Sequence, residues 1–295
     1  MSVSKAHLFR QGPVIKTLLD TAFSAITYKK GSGETREIPF PGPLLEKTVE
    51  PRNPKLVADF IRHVGGQPSA YKGILPPQFF PQWGFPTMAK TLEGQPYNMS
   101  RILNGGCRFE VLHPLPMDQK LILKAQLVEV DDNGYRVIFK QKLTTGTKEN
   151  PESLIAYVTA VLPIKKADGP KKEKPIVPLM AREIDTWKLG KKSGIDFALL
   201  TGDFNPVHWV ASYAKLSGFR NTILHGFATM ARTVESVNRG VWLGRPATLS
   251  TFEARFVKPL VFPGIAKVYL DDNNQVYVGN APGGPAYLTG TFTAR

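Results

Sequence analysis

The segment TGDFNPVHW, Thr201 to Trp209, places an acid, an amide and an imidazole close together in Asp203, Asn205 and His208. Gly202 and Pro206 interrupt regular structure, so these side chains project from a loop. A loop can aim groups at such spacings toward one point, whereas a strand would alternate them across two faces. An acid and an imidazole aimed together are the parts of general acid–base chemistry. The competing local reading has Asp203 and Asn205 satisfying turn backbone while His208 begins the next helix.

The elements that must carry this loop are written twice. GFATMARTVE, from Gly226, repeats GFPTMAKTLE, from Gly84. Further pairs follow in the same order: ADFIRHVGG from Ala58 with IDFALLTGD from Ile195, HPL from His113 with KPL from Lys258, and DDNGYRV from Asp131 with DDNNQVYV from Asp271. An ordered series with small offset changes marks a duplicated domain. The expected division is a first half over 1–164, with an extra N-terminal segment 1–43, a Lys- and Pro-rich linker over 165–178, and a second half over 179–295. Within the extra segment, residues 13–26 have amphipathic helical spacing.

Phe227, Met230, Ala231, Val234 and Val237 recur at helical intervals, as do Phe85, Met88, Ala89 and Leu92. Pro86 suits a first helical turn, and Gly240 and Gly94 suit stops. Runs such as LILKAQLVEV and YRVIFKQKL, parted by turn residues, read as antiparallel strands. The fold class is therefore α+β, and the expected architecture is a double hot dog: two antiparallel sheets, each wrapped around a central helix.

DFALLTGDFNPVH, YAKLSGF and ILHGFATMA, spread over residues 196–231, resemble the MaoC-like (R)-specific enoyl-CoA hydratases and 3-hydroxyacyl-thioester dehydratases of the hydratase-2 type. The resemblance implies that Asp203 and His208 hold one water and add it across the C2=C3 bond of a trans-2-enoyl thioester, giving a (3R)-3-hydroxyacyl thioester, or catalyse the reverse dehydration. It implies a supporting role for Asn205 and an oxyanion hole at the Gly226 backbone N–H. His225 and Gly202 are expected to support the site from behind. The chain departs from the family pattern at Val210-Ala211, where an acid and then Pro are usual, and at Val234.

The first copy has lost the chemical residues. Gly66 stands where Asp203 would be, no His follows Pro68, and Trp83 replaces His225 before Gly84. Its expected role is acyl-chain accommodation, with Phe79, Phe80, Trp83 and Phe85 as lining; core packing is the alternative.

Composition bounds the partners. A net charge of +14 over 295 residues favours acidic ones, here the phosphates of an acyl-CoA or an acidic acyl-carrier protein. Nucleic acid would explain the charge but not the motif. With one cysteine, Cys107, in a strand-like run and with dispersed histidines, no intramolecular disulfide and no metal site are expected, and the chemistry calls for no separate cofactor. His7, His63 and His113 belong to no constellation. No apolar run is long enough for a membrane span. A cytoplasmic location is the default, with peroxisome or mitochondrion open, and the chain is expected as a monomeric pseudo-dimer or a homodimer. A hot-dog acyl-CoA thioesterase and a non-catalytic acyl-thioester binder are the rival functions; the second is disfavoured because a binder gains nothing by burying an unpaired carboxylate.

Overall fold

A computed structural model of the chain describes residues 3–12, 40–99, 102–165 and 173–295. The amphipathic segment 13–26 and half of the linker, 166–172, lie outside them.

The first half runs β1 (Leu45–Val49), α1 (Pro54–His63), α2 (Pro81–Lys90), β2 (Leu103–Val111), β3 (Leu121–Asp132), β4 (Arg136–Gly146) and β5 (Leu154–Pro163). The second half repeats the plan with β6 (Arg182–Leu189), α3 (Ser193–Thr201), α4 (Ala211–Leu216), α5 (Gly226–Trp242), β7 (Leu249–Phe256), β8 (Gly264–Leu270), β9 (Gln275–Gly279) and β10 (Ala286–Ala294). Strand order is β1-β3-β4-β5-β2 in one half and β6-β8-β9-β10-β7 in the other. Each leading strand thus lies at an outer edge, and the strand that follows the central helix lies innermost.

The two sheets are continuous. β2 pairs antiparallel with β7 from Gly106↔Arg255 to Glu110↔Thr251, giving one ten-stranded sheet. Phe109 and Phe252 face each other across this seam with stacked rings 5.9 Å apart. At Gly106 an added Cβ would lie 2.6 Å from the Ala254 carbonyl oxygen, so the seam requires the missing side chain.

Packing rather than propensity holds α5, which contains the β-branched Thr229, Thr233, Val234, Val237 and Val241. Phe227, Met230, Ala231, Val234 and Val237 are all buried in the common core, as their spacing predicts. Burial of each larger apolar side chain is worth about 1.5–3 kcal/mol. Gly240 is not the stop: α5 continues to Trp242 and ends at Leu243 in the left-handed region. Gly240 instead faces Ile184, which an added Cβ would approach to 3.3 Å. In the first copy, α2 begins three residues before Gly84, and Pro86 lies inside the helix rather than in its first turn.

The end of the linker segment is tied to the second half. Val177 is buried beside Tyr269 and Ala181, its N–H donates to the Gly284 carbonyl, and Ile176 bridges Pro285. Among the described residues no helix is long and apolar enough to cross a membrane.

Candidate active site

The loop after α3 is shaped by its own side chains. Gly202, at φ 86°, turns the chain in the left-handed region and donates its N–H to the Ala198 carbonyl. Asp203 Oδ1 then accepts from the Asn205 N–H at 3.3 Å, and Asn205 Oδ1 accepts from the Val207 N–H at 3.2 Å. Asn205 thereby caps the short 3₁₀ turn Pro206–His208, with its own side chain exposed. The acid and amide satisfy turn backbone, as the local reading expects, but His208 ends the 3₁₀ turn and does not begin the next helix. The next helix, α4, starts only at Ala211, and Val210 provides no side-chain cap.

His208 is oriented by its Nδ1, 2.7 Å from the Ile223 carbonyl oxygen, which leaves Nε2 for chemistry. His225 lies parallel to it, ring centroids 3.6 Å apart, with its Nε2 3.0 Å from the Asp203 carbonyl and 4.0 Å from Asp203 Oδ2. His225 is buried, packs on Phe197 at 4.9 Å, and among the described residues has no hydrogen-bond partner for Nδ1. Burial lowers the pKa of His208 below the ordinary histidine value, against the opposing pull of the Asp203 carboxylate. Burial and the neighbouring His208 depress His225 to about 3. Both imidazoles are neutral at pH 7.

Ligand-capable atoms of Asp203, His208 and His225 lie within 4.8 Å of one another, a grouping that their sequence spacing did not show. Each ring already commits one nitrogen to a backbone carbonyl. The set can act as an acid–base cluster or, through the remaining lone pairs, as ligands.

Gly226 is the first residue of α5, with His225 as its N-cap. The first N–H groups of a helix have no intrahelical acceptor and carry partial positive charge, so this end can receive a developing oxyanion. A Cβ on Gly226 would come within 2.8 Å of the Phe256 ring, so the glycine lets Phe256 close over the helix end. Gly84 differs: its N–H already donates to the Phe80 carbonyl at 2.8 Å inside a running helix. Among the described residues, the first half thus has no helix starting at Gly84, and Gly66 stands where Asp203 would be.

Of the four proposed lining residues, Phe79, Phe80 and Trp83 are buried in the common core, while Phe85 is partly buried. Phe80 and Phe85 pack edge-on against Phe227, which in turn meets Phe256.

Several contributors were not read from sequence. An added Cβ on Gly194, the second residue of α3, would lie 1.7 Å from the His208 carbonyl oxygen. Its signal was a glycine early in a helix. Gln11 donates from Nε2 to the Leu199 and Leu200 carbonyls at the end of α3. His7 and His63 need correction, because neither is isolated. His7 is buried with Nε2 2.8 Å from Asp59 Oδ2, and His63 lies against Phe197 and Arg232, with a pKa lowered to about 3 by burial first and then by Arg232 and His225. His113 is exposed, as an incidental residue would be.

Residues 171–272 match the family described as "MaoC like domain". The chain is 28% identical over 203 residues to "Enoyl-CoA hydratase 2, peroxisomal" of Arabidopsis thaliana; the match covers 63% of this chain and 65% of the relative, so it spans just under two thirds of that protein's length. A crystal structure of a MaoC-like dehydratase from Phytophthora capsici superposes with a TM-score of 0.68 at 19% identity, covering 86% of this chain and 95% of that one. A Mycobacterium tuberculosis protein described as having a double hotdog fold superposes with a TM-score of 0.58 at 13% identity, covering 87% of this chain and 96% of the other. With a repeated strand–helix–sheet plan in both halves, the chain has the double hot-dog fold, and the stretch that matches the MaoC-like domain, 171–272, contains the GDFNPVH loop.

Proposed function

We propose that the protein is a hydro-lyase that hydrates trans-2-enoyl thioesters to (3R)-3-hydroxyacyl thioesters and catalyses the reverse dehydration. The observation that carries this reading is the convergence of Asp203, neutral His208 and His225, the N-cap of α5, beside that helix's first N–H groups. The name of the Arabidopsis relative supports it.

In this mechanism Asp203 and His208 hold a water. As its oxygen bonds to C3, the pair accepts a proton and the C2=C3 π pair moves toward C1, placing negative charge on the thioester oxygen near the Gly226 N–H. Collapse of that enolate takes a proton from the pair at C2, so the protein ends unchanged. A neutral His208 at pH 7 is the form able to accept a proton. Asn205 acts through the turn that it caps, and His225 supports the cluster by stacking on His208 and reaching the Asp203 carbonyl. The acyl chain runs beside Phe85, with Phe79, Phe80 and Trp83 setting the wall behind it. CoA phosphates or an acidic carrier protein both suit a net charge of +14.

The test is to mix the purified protein with trans-2-enoyl-CoA of several chain lengths, following loss of the conjugated absorbance, thiol release and product chirality. Asp203→Asn should lower kcat by roughly 10²–10⁴-fold with the fold retained. Undiminished turnover in that variant, or an S-configured product, sinks the mechanism, and thiol release without loss of the enoyl group would indicate thioester hydrolysis instead.

A further inference from the structure

The repeated segments GFPTMAKTLE and GFATMARTVE end on the same acid, but Glu93 is exposed while Glu235 is 0% exposed. The Glu235 carboxylate reaches out of α5 into the first half. There it accepts from the Tyr71 hydroxyl and, at 2.8 Å, from Gln78 Nε2, while Asn238 Nδ2 donates to Oε2 at 3.2 Å. Gln78 Nε2 also donates to the Tyr71 hydroxyl at 3.0 Å.

The place it occupies is the counterpart of the acid–base loop. Gly66 stands where the second copy has Asp203, and a Cβ there would lie 2.6 Å from the Glu235 carboxyl carbon and from Oε2. Any side chain at residue 66 therefore collides with Glu235. Tyr71 closes the 3₁₀ turn Pro68–Tyr71, the counterpart of the turn that presents His208. The emptied site is filled, and its occupant comes from the helix whose first residue is Gly226.

We propose that Glu235 is a positioning residue: by bonding to the vestigial loop of the first half, it fixes α5 lengthwise and so sets the Gly226 N–H against the Asp203–His208 loop. The apolar contacts of α5 are non-directional, and Ser236 and Arg239 tie the helix to Asp185 of its own half, whereas the two bonds that Glu235 accepts from Tyr71 and Gln78 are directed ties to the first half. Glu235 lies nine residues beyond Gly226, about 13 Å along the helix at 1.5 Å per residue, so it acts through the helix and not on substrate.

This inference rests on the proposed hydration, so its test includes a readout that does not. Glu235→Ala, Glu235→Gln and the double variant Glu235→Ala/Gly66→Asp are compared with wild type for kcat and KM on trans-2-enoyl-CoA, for melting temperature, and for amide hydrogen exchange over 223–230. Glu235→Ala should lose about 10–100-fold in kcat, with KM within about twofold, and should exchange faster over 223–230 at temperatures well below its melt. Glu235→Gln, which keeps the acceptor for Tyr71 and Gln78, should recover most of both losses, whereas the double variant returns a carboxylate on the first half, where its bonds to Tyr71 and Gln78 no longer hold α5, and should stay close to Glu235→Ala. A Glu235→Ala protein with a lower melting temperature but wild-type kcat and wild-type exchange over 223–230 overturns the proposal in favour of a stabilising contact. If wild type itself shows no turnover, the hydration reading fails while the exchange arm still decides whether Glu235 holds the start of α5. If Glu235→Ala does not fold, Tyr71→Phe, which removes one donor from the same carboxylate, takes its place: a lower kcat together with faster exchange over 223–230 supports the proposal, and wild-type exchange or wild-type kcat overturns it.

Discussion

Gly194→Ala sets two effects of opposite sign against each other. Gly194 is helical without a positive φ, so by backbone propensity alone alanine should stabilise α3 by about 0.5–1 kcal/mol. The new methyl, however, would sit 1.7 Å from the His208 carbonyl oxygen and 3.0 Å from the Phe262 ring. Restoring an ordinary separation requires the loop and the helix to part by about 1.3 Å or more, because such a contact lies on the repulsive wall. Overpacking of this kind costs about 1–3 kcal/mol, which exceeds the propensity gain. The moving atom belongs to the residue whose ring is held by the 2.7 Å contact with Ile223, so the shift reaches the proposed chemistry. A displacement near 1 Å costs about 10²-fold in rate. The assay is kcat on trans-2-enoyl-CoA together with the thermal midpoint, with Gly190→Ala as control, since nothing lies within 4 Å of a Cβ there. A Gly194→Ala protein that melts at or above wild type and turns over at the wild-type rate would refute the reasoning.

Gly226→Ala should meet the Phe256 ring at 2.8 Å and lose activity, and Gly226→Ala/Phe256→Leu should regain part of it; equal loss in both would place the defect elsewhere. His63 and His225 both have folded pKa values depressed to about 3. The unfolded chain therefore binds protons that the folded chain refuses once pH drops below about 6.5, and stability that is fully present above that pH is lost as pH falls toward 3. Each imidazole contributes a slope of up to about 1.4 kcal/mol per pH unit. Urea midpoints at pH 7.5, 6.5 and 5.5 should fall in turn, and His63→Leu should flatten the dependence; a wild-type midpoint independent of pH would contradict the assignment.

The repeat was legible in sequence because both central helices fill the same kind of core, and core faces are written in periodic apolar residues such as Phe227, Met230 and Val234. The acid–base loop was legible because its residues are contiguous from Gly202 to His208 and its turn is built by local bonds. What remained hidden depends on approach through space. Gly194 constrains His208 across a helix and a loop, Phe256 lies over Gly226 from a strand, and His7 meets Asp59 from a segment without a counterpart in the second half. The similar text around Gly84 and Gly226 also concealed a difference in helix start: α2 begins at Pro81, so the Gly84 N–H is consumed inside the helix, whereas Gly226 is the first residue of α5.

The seam between β2 and β7, joined in one chain, permits something that two identical subunits would not. Under exact twofold symmetry, one sequence would have to serve both copies, so a buried Glu235 would imply a second one pressing on the loop that carries Asp203. Because the halves are covalently linked and separately encoded, Glu93 can stay in solvent while Glu235 is buried, and Gly66 can give way while Asp203 remains. Asymmetry is thus a resource of the fused architecture: one half can give up reactivity and become part of the frame that holds the other.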